Sequence, residues 1–210
     1  GHIAANYIAH SDLKPPYLCL VASGGHSHIV EVLDYTKFHV VGRTRDDAAG
    51  ECFDKCARAM GFPYPGGVHI DKASVSGNKD AYELPRPKVT GSEFDFSFSG
   101  LKTAVINLLH NSQQKGIEIN KNDLSAGIQY TISDILCEKT MAAAEMLGYK
   151  TIAVAGGVSA NSGVRAAFEK ACAERDMKLY LTPLNLCGDN GAMIACQGYY
   201  NYLAGQRGDE

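Results

Sequence analysis

The sequence predicts an α/β protein, and three observations carry that prediction. Short β-branched runs separated by turn residues open the chain, a buried-type strand at Thr151 to Ala155 runs through a glycine pair into a helix, and strands and helices alternate from there on. The 210 residues, 45% hydrophobic and 20% charged, have the balance of an ordinary globular protein with one sizeable core.

Taken in order, Tyr17 to Ser23 is an apolar run, Gly24-Gly25 is a turn, and His28 to Leu33 alternates β-branched residues, which together read as a hairpin. A third run, Phe38 to Thr44, follows the Asp34-Tyr35 break and completes a meander. Between Ala48 and Met60 the period changes: Ala49, Cys52, Phe53, Cys56, Ala57 and Met60 fall on one helix face, which Gly61 stops. The Pro63 to Gly67 turn leads to a shorter helix around Asp71, and Gly77 to Ser97, with Pro85, Pro87 and Gly91, reads as a loop and a subdomain junction. Helices follow at Gly100 to Asn111 and at Asp123 to Leu147, the second with Asn122 or Asp123 as N-cap and Gly148 as its stop. After the strand at Thr151 come a helix from Ala160 to about Glu174, a strand at Lys178 to Leu181 and a helix from about Asn190 to Leu203. The chain opens on Gly1 and enters a helical stretch at once, so it is read as a piece of a longer protein.

Net charge is −3 and the pI near 6.2, so no global basic field drives nucleic-acid binding, and any RNA contact must be local or shared. The seven cysteines form no CxxC pair and read as reduced, cytoplasmic thiols. No apolar run approaches the about 20 residues that cross a bilayer, and Arg207-Gly208-Asp209 reads as a polar terminus.

Several segments carry candidate chemistry, each with a plainer alternative. The turn Ser23-Gly24-Gly25-His26-Ser27 lets backbone N–H groups approach phosphate oxygens, or is a hairpin turn and nothing more. The run Ala155-Gly156-Gly157-Val158-Ser159-Ala160-Asn161 places donors and a positive helix end beside a phosphate or adenosine; alternatively Ser159 is an N-cap and Asn161 is solvated. Asp46, Asp47, Glu51 and Asp54 crowd a helix start, where acids complement the dipole; Asp54 is the one placed to accept from a ligand hydroxyl or amine, and Asp71 shares that ambiguity. Asp189 stands where an N-cap aspartate belongs, and His2 is a lone terminal histidine. One His and one Asp are too few for a metal site by spacing alone.

Six stretches in order resemble the TsaD/Gcp family along nearly the whole chain: GHIAANY at Gly1, LVASGGHSH at Leu20, DDAAGECFDKCARAMGFPYPGG at Asp46, DFSFSGLKTAV at Asp95, AGGVSANSGVR at Ala155 and CGDNGAMIA at Cys187. The resemblance implies an actin, sugar-kinase and Hsp70-like (ASKHA) lobe with a helical insertion. Residues 1–16 would be the remnant of a metal-motif segment and linker, and 17–210 the C-terminal lobe with its insertion at about 75–147. It implies transfer of a threonylcarbamoyl group from threonylcarbamoyl-AMP to the N6 amine of an adenosine beside the anticodon, in tRNAs reading codons that begin with A.

The positions implied to bind the adenylate are Val21, Ala22, Ser23, Gly24, Gly25, Asp54, Gly67, Asp71 and Asn161. His2 and Asp189 are implied ligands of one divalent metal, iron(II) first with zinc or magnesium as alternatives. The second ligating histidine of the family's H-x-x-x-H pair falls on His2, and the first would lie before Gly1, so the chain alone is expected to be inactive. Implied partners are tRNA, a TsaB-like paralogue and a TsaE-like P-loop ATPase, in the cytoplasm and without a membrane. A glycoprotein metalloprotease, a small-molecule kinase and a noncatalytic scaffold lobe are the competing readings. The first lacks a visible zincin glutamate, and no cysteine stands in a nucleophile's setting.

Overall fold

Strand order decides where this chain can bind anything. The computed structural model describes residues 1–207; Gly208 and Asp209 of the Arg207-Gly208-Asp209 terminus lie outside the described residues. One sheet of five strands runs in the order β3-β2-β1-β4-β5. The strands are β1 (Tyr17–Ala22), β2 (Ser27–Asp34), β3 (Lys37–Arg43), β4 (Thr151–Ala155) and β5 (Lys178–Leu181). The first three form the antiparallel meander, whereas β4 pairs parallel to β1 and β5 parallel to β4.

Seven helices accompany the sheet among the described residues: α1 (His2–Ala9), α2 (Ala49–Ala59), α3 (Gly66–Ser74), α4 (Ser99–Gln114), α5 (Lys121–Leu147), α6 (Ser162–Glu174) and α7 (Gly191–Leu203). Side chains alternate across the sheet, so each strand feeds two cores. Leu18, Leu20, Ala22, Ile29, Ile152 and Val154 pack with α2, α5 and α6 on one face. Tyr17, Cys19, Val30, Val32, Ala153 and Ala155 pack with Ala4 and Tyr7 of α1 on the other, where α7 lies against α1. The resulting α/β/α layering is the α/β class read from the sequence.

Helix α5 lies within the segment 75–147. Most of its 27 residues are buried, and Leu124, Ile128, Ile132 and Leu136 join the same core as β1 and β4. Its partners are α3 and α6. The loop before α4 is fastened at its end: Asp46 Oδ1 accepts from the N–H groups of Phe98 (2.8 Å) and Ser99 (3.2 Å), and Oδ2 accepts from Ser97 Oγ (2.5 Å) and Ser99 Oγ (2.8 Å). Asp47 meets Lys102 at 2.7 Å. These two acids are therefore anchors for α4, not solvated helix-start charges.

Three helix starts differ from the sequence expectation in the same way. Asn120, not Asn122 or Asp123, caps α5, accepting from the N–H groups of Asn122 and Asp123; Asp123 instead accepts from Asn78 N–H at 2.8 Å. Asn161, not Ser159, caps α6, because a short 3-10 turn at Gly157–Ala160 delays the helix. Asn190, not Asp189, caps α7 through Met193 N–H. In each case the capping residue has extended backbone, which aims its side chain back at the orphan N–H groups of the first turn.

Two expected outcomes follow from this packing. Gly156 has φ 93°, and a Cβ there would stand 2.3 Å from the carbonyl oxygen of Ala22. Gly156→Ala should lower stability by roughly 2–4 kcal/mol, combining backbone strain with a clash against β1; a chemical-denaturation loss under about 1 kcal/mol would contradict the close approach. The Asp46 carboxyl is pushed up by burial, but the hydrogen bonds from Ser97, Phe98 and Ser99 outweigh this and hold it below its ordinary 3.8. A depressed native value means the stabilisation is present above the unfolded value and lost as pH falls through the native one. The stability gap between wild type and Asp46→Asn should accordingly shrink below about pH 4, and an equal gap in unfolding scans at neutral and acid pH would refute it.

Candidate functional site

Strands β1 and β4 are parallel neighbours, with Val21 opposite Ala155, so both end on the same edge of the sheet. The residues that leave this edge are the two glycine turns, Ser23–His26 and Gly156–Gly157. Ser23 is buried and ties its turn together: its N–H donates to the His26 carbonyl at 2.7 Å, and its Oγ accepts from His26 N–H at 3.1 Å. Gly24 and Gly25 are exposed, and the space beside each Cα is open. Their backbone is thus accessible, while Val21 and Ala22 belong to β1 and support it.

A closed circuit of contacts surrounds this edge. The Ser23 carbonyl accepts from Gly50 N–H at the start of α2 (3.2 Å). Asp54, on α2, accepts through Oδ1 from Gly66 N–H (2.7 Å) and Gly67 N–H (3.4 Å) at the start of α3. Asp71, on α3, accepts through Oδ2 from Ser162 N–H (3.0 Å) and through Oδ1 from Ser162 Oγ at the start of α6. Helix α6 follows the Gly156–Gly157 turn, and Gly156 rests on Ala22 of β1. The positive ends of three helices are gathered here, which suits an anionic ligand.

Asn161 is only 8% exposed. Its Oδ1 caps Val164 N–H (3.0 Å) and its Nδ2 donates to Gln129 Oε1 on α5 (2.7 Å). A cavity of about 420 Å³ lies between α3, α5 and α6, with Ser74, Gln129, Tyr130, Ser133, Gly163 and Ala166 in its wall.

His2 shares a cavity wall with Val21 and His26, and Asp189 stands against it. His2 Nε2 is 3.3 Å from Asp189 Oδ1; the His2 side chain is 16% exposed and that of Asp189 90%. His2 Nδ1 is buried and has no hydrogen-bond partner among the described residues. Burial lowers the His2 pKa, the Asp189 carboxylate opposes this, and the terminal amine and His26 add to the lowering. The imidazole is therefore disposed to be neutral, the form that ligates metal. Two donors of one cation at about 2.1 Å each stand about 3.0–3.4 Å apart, so the pair fits two corners of a metal site. Among the described residues no three His, Cys, Asp or Glu side chains gather to complete one. A cavity of about 510 Å³ opens beside the pair, lined in part by His2, Val21, His26, His28, Phe38 and Val40.

All seven cysteines are free and six are buried. Burial pushes the Cys19 and Cys137 thiols up to about 12, so both are protonated at neutral pH and neither is a nucleophile. Sequence reasoning did not single out Gln129, Ser162 or Gly66. For Gln129 a signal existed: on α5 it interrupts the apolar face of Leu124, Ile128, Ile132 and Leu136, where a polar residue must find partners. Gly66 acts through its backbone N–H and Ser162 through its N–H and its hydroxyl, and neither position records in the sequence which distant carboxylate it meets. Among the described residues, no helix is long and apolar enough to cross a membrane.

The family model described as tRNA N6-adenosine threonylcarbamoyltransferase, TsaD, matches residues 1–196. A curated relative of that name from Clostridioides difficile (strain 630) is 47% identical over 209 residues, covering 100% of this chain and 62% of its own length. Another of the same name, from Clostridium botulinum (strain Hall), is 48% identical over 207 residues, 99% of this chain and 61% of its own. The chain therefore spans about 62% of the length of the curated relatives it matches. Among solved structures, full-length HypF in a phosphate- and nucleotide-bound form superposes with TM-score 0.69 at 13% identity, over 96% of this chain and 35% of that one. The component A of (R)-2-hydroxyglutaryl-CoA dehydratase from Acidaminococcus fermentans does so with TM-score 0.55 at 18% identity, over 97% and 67%. These two likenesses show the fold.

Because Asp54 holds the start of α3 as a side-chain cap, Asp54→Ala should destabilise the chain by about 1 kcal/mol and Asp54→Asn by less. Equal denaturation midpoints for wild type and the alanine variant would show that the contact carries no stability.

Proposed function

The chain belongs to the TsaD family of tRNA N6-adenosine threonylcarbamoyltransferases, and we propose that it forms the adenylate-binding part of such an enzyme. The observation that carries this reading is the closed circuit at the carboxyl edge of β1 and β4, where two glycine turns and the starts of α2, α3 and α6 are linked around one end of the sheet. Such an arrangement recognises a nucleotide through backbone donors and helix ends and needs few charged side chains.

In this reading the backbone at Gly24 and Gly25 approaches the phosphate of threonylcarbamoyl-AMP. Asp71 and Asp54 accept from ribose hydroxyls or the adenine amine, and Asn161, with Gly67 nearby on α3, borders the adenosine. A carboxylate has about four acceptor sites, so Asp71 keeps capacity for a ribose hydroxyl beside Ser162, and Asp54 Oδ2 has no partner among the described residues. The N6 amine of the tRNA adenosine attacks the carbamoyl carbon, the bond from that carbon to the phosphate oxygen breaks, and AMP leaves. His2 and Asp189 would hold a divalent cation, iron(II) or alternatively zinc or magnesium, whose Lewis acidity would steady negative charge on the acyl group. The chain's own contribution is to position the adenylate and keep its phosphate against fixed donors.

The reading extends to a TsaB-like paralogue and a TsaE-like P-loop ATPase as partners and to a cytoplasmic setting, and rests there on family membership. A transfer assay with the whole protein, tRNA and threonylcarbamoyl-AMP tests the activity; cleavage of a labelled glycoprotein without modified adenosine would place the protein among proteases instead.

Two outcomes test the site in the chain itself. Asp71→Ala should weaken AMP by about tenfold or more, the loss of a charged acceptor being worth about 1.5–3 kcal/mol; calorimetry giving the wild-type affinity would remove Asp71 from the pocket. Asp189→Ala should lower the affinity for added iron(II) or zinc while leaving thermal unfolding of the metal-free chain unchanged, since Asp189 is exposed and caps no helix. Unaltered metal uptake by elemental analysis would leave His2 and Asp189 as a contacting pair only.

A further inference from the structure

The side chain of Gln129 closes a hydrogen-bond ring through three helices. Val164 N–H can only donate, so Asn161 must present Oδ1 to it, which turns Nδ2 toward α5. Gln129 must then offer Oε1 to that donor, at 2.7 Å, and its Nε2 is left to donate to Ser74 Oγ at 2.9 Å. Ser74 in turn donates its hydroxyl to the Asp71 carbonyl at 2.7 Å. The Asp71 carboxylate accepts from Ser162, the residue after Asn161, and the ring closes. Every amide orientation in it follows from one backbone donor.

The site is built around this glutamine. Gln129 is 8% exposed, so both ends of its amide must be matched. A Cβ on Gly163 would stand 2.7 Å from Gln129 Cγ and 2.8 Å from its Nε2; the absence of a side chain on α6 makes the room. Asn161 spends one Nδ2 hydrogen on Gln129 and keeps the other without a partner among the described residues.

We propose that Gln129 is a positioning residue for nucleotide recognition: it holds the Asn161 amide in the orientation that Val164 N–H dictates, and through Ser74 and Asp71 it sets α3 and α6 at the spacing the nucleotide meets. This deepens the proposed function and rests on it for the identity of the ligand. Gln129 touches no reacting atom. Its role is to keep Asn161 in place and Asp71 against the start of α6.

The test uses the 210-residue chain, with AMP as the probe and two readouts: the affinity by calorimetry, and solvent exchange of the Asn161 side-chain amide hydrogens by NMR in the absence of ligand. Gln129→Leu removes both ends of the link, and should speed Asn161 exchange and weaken AMP, each by about tenfold. Gln129→Glu keeps an oxygen for Asn161 and should stay within about threefold of wild type in both. Gly163→Ala leaves the glutamine chemistry intact but displaces the side chain, so it should move both readouts in the direction of Gln129→Leu. A residue that is merely structural predicts a lower melting temperature for Gln129→Leu with AMP affinity and Asn161 exchange unchanged, and that result overturns the proposal. So does faster exchange with wild-type affinity. If wild type itself binds no AMP, the nucleotide reading fails, and Asn161 exchange still decides whether Gln129 positions it. Should Gln129→Leu not fold, unchanged exchange and affinity in Gly163→Ala would overturn the proposal by themselves.

Discussion

The parallel pairing of β1 with β4 is the constraint on which the rest of the structure depends. Residues 17–22 and 151–155 are far apart in the chain, yet their ladder puts both carboxyl ends on one edge. Two glycine turns then leave that edge side by side. Parallel neighbours need a long crossover, and here it contains β2, β3 and α2 to α5, so α2 and α3 reach this edge from the connection, while the Gly156–Gly157 turn and α6 reach it from β4 itself. Ligands of open α/β sheets bind outside the carboxyl ends of the strands for this reason.

This edge presents chiefly backbone groups. Of the two acids that border it, each already holds a helix start: Asp54 holds α3 and Asp71 holds α6. Under the proposed function both would have structural and recognition duties at once, so a substitution at either position would mix the two. On that proposal a chain with net charge −3 would meet an anion at this edge through fixed peptide dipoles, not through mobile lysines. The His2 and Asp189 pair differs from this edge in being made of side chains, one of them an exposed carboxylate.

Polar groups inside the helical layer have a comparable double role. Helix α5 passes through the core with Ser125, Gln129, Thr131, Ser133 and Thr140 buried along it. Thr131 and Thr140 satisfy their hydroxyls on their own helix, at Gly127 and Leu136 carbonyls. Gln129 instead reaches two other helices. A local bond of the first kind contributes to α5 alone, whereas the second kind specifies how α3 and α6 stand relative to it.

By itself the sequence determined the element order, because period and punctuation are local: the switch from alternation to helical spacing at Ala48, the stop at Gly148, and the strand, glycine pair and helix at Thr151 are all read from neighbours. It determined the family through six ordered stretches, and with it the residues worth locating. What it left open were the caps and the partners. Asn120, Asn161 and Asn190 outrank nearer-looking candidates because a cap is chosen by backbone dihedrals, which depend on how the incoming loop is packed. Tertiary structure alone decided that Asp46 anchors α4, that Asp71 bonds Ser162, that His2 meets Asp189 and that Gln129 joins Asn161 to Ser74. Each of these contacts spans tens of residues or more, and no local pattern records which distant donor a carboxylate or an amide will face.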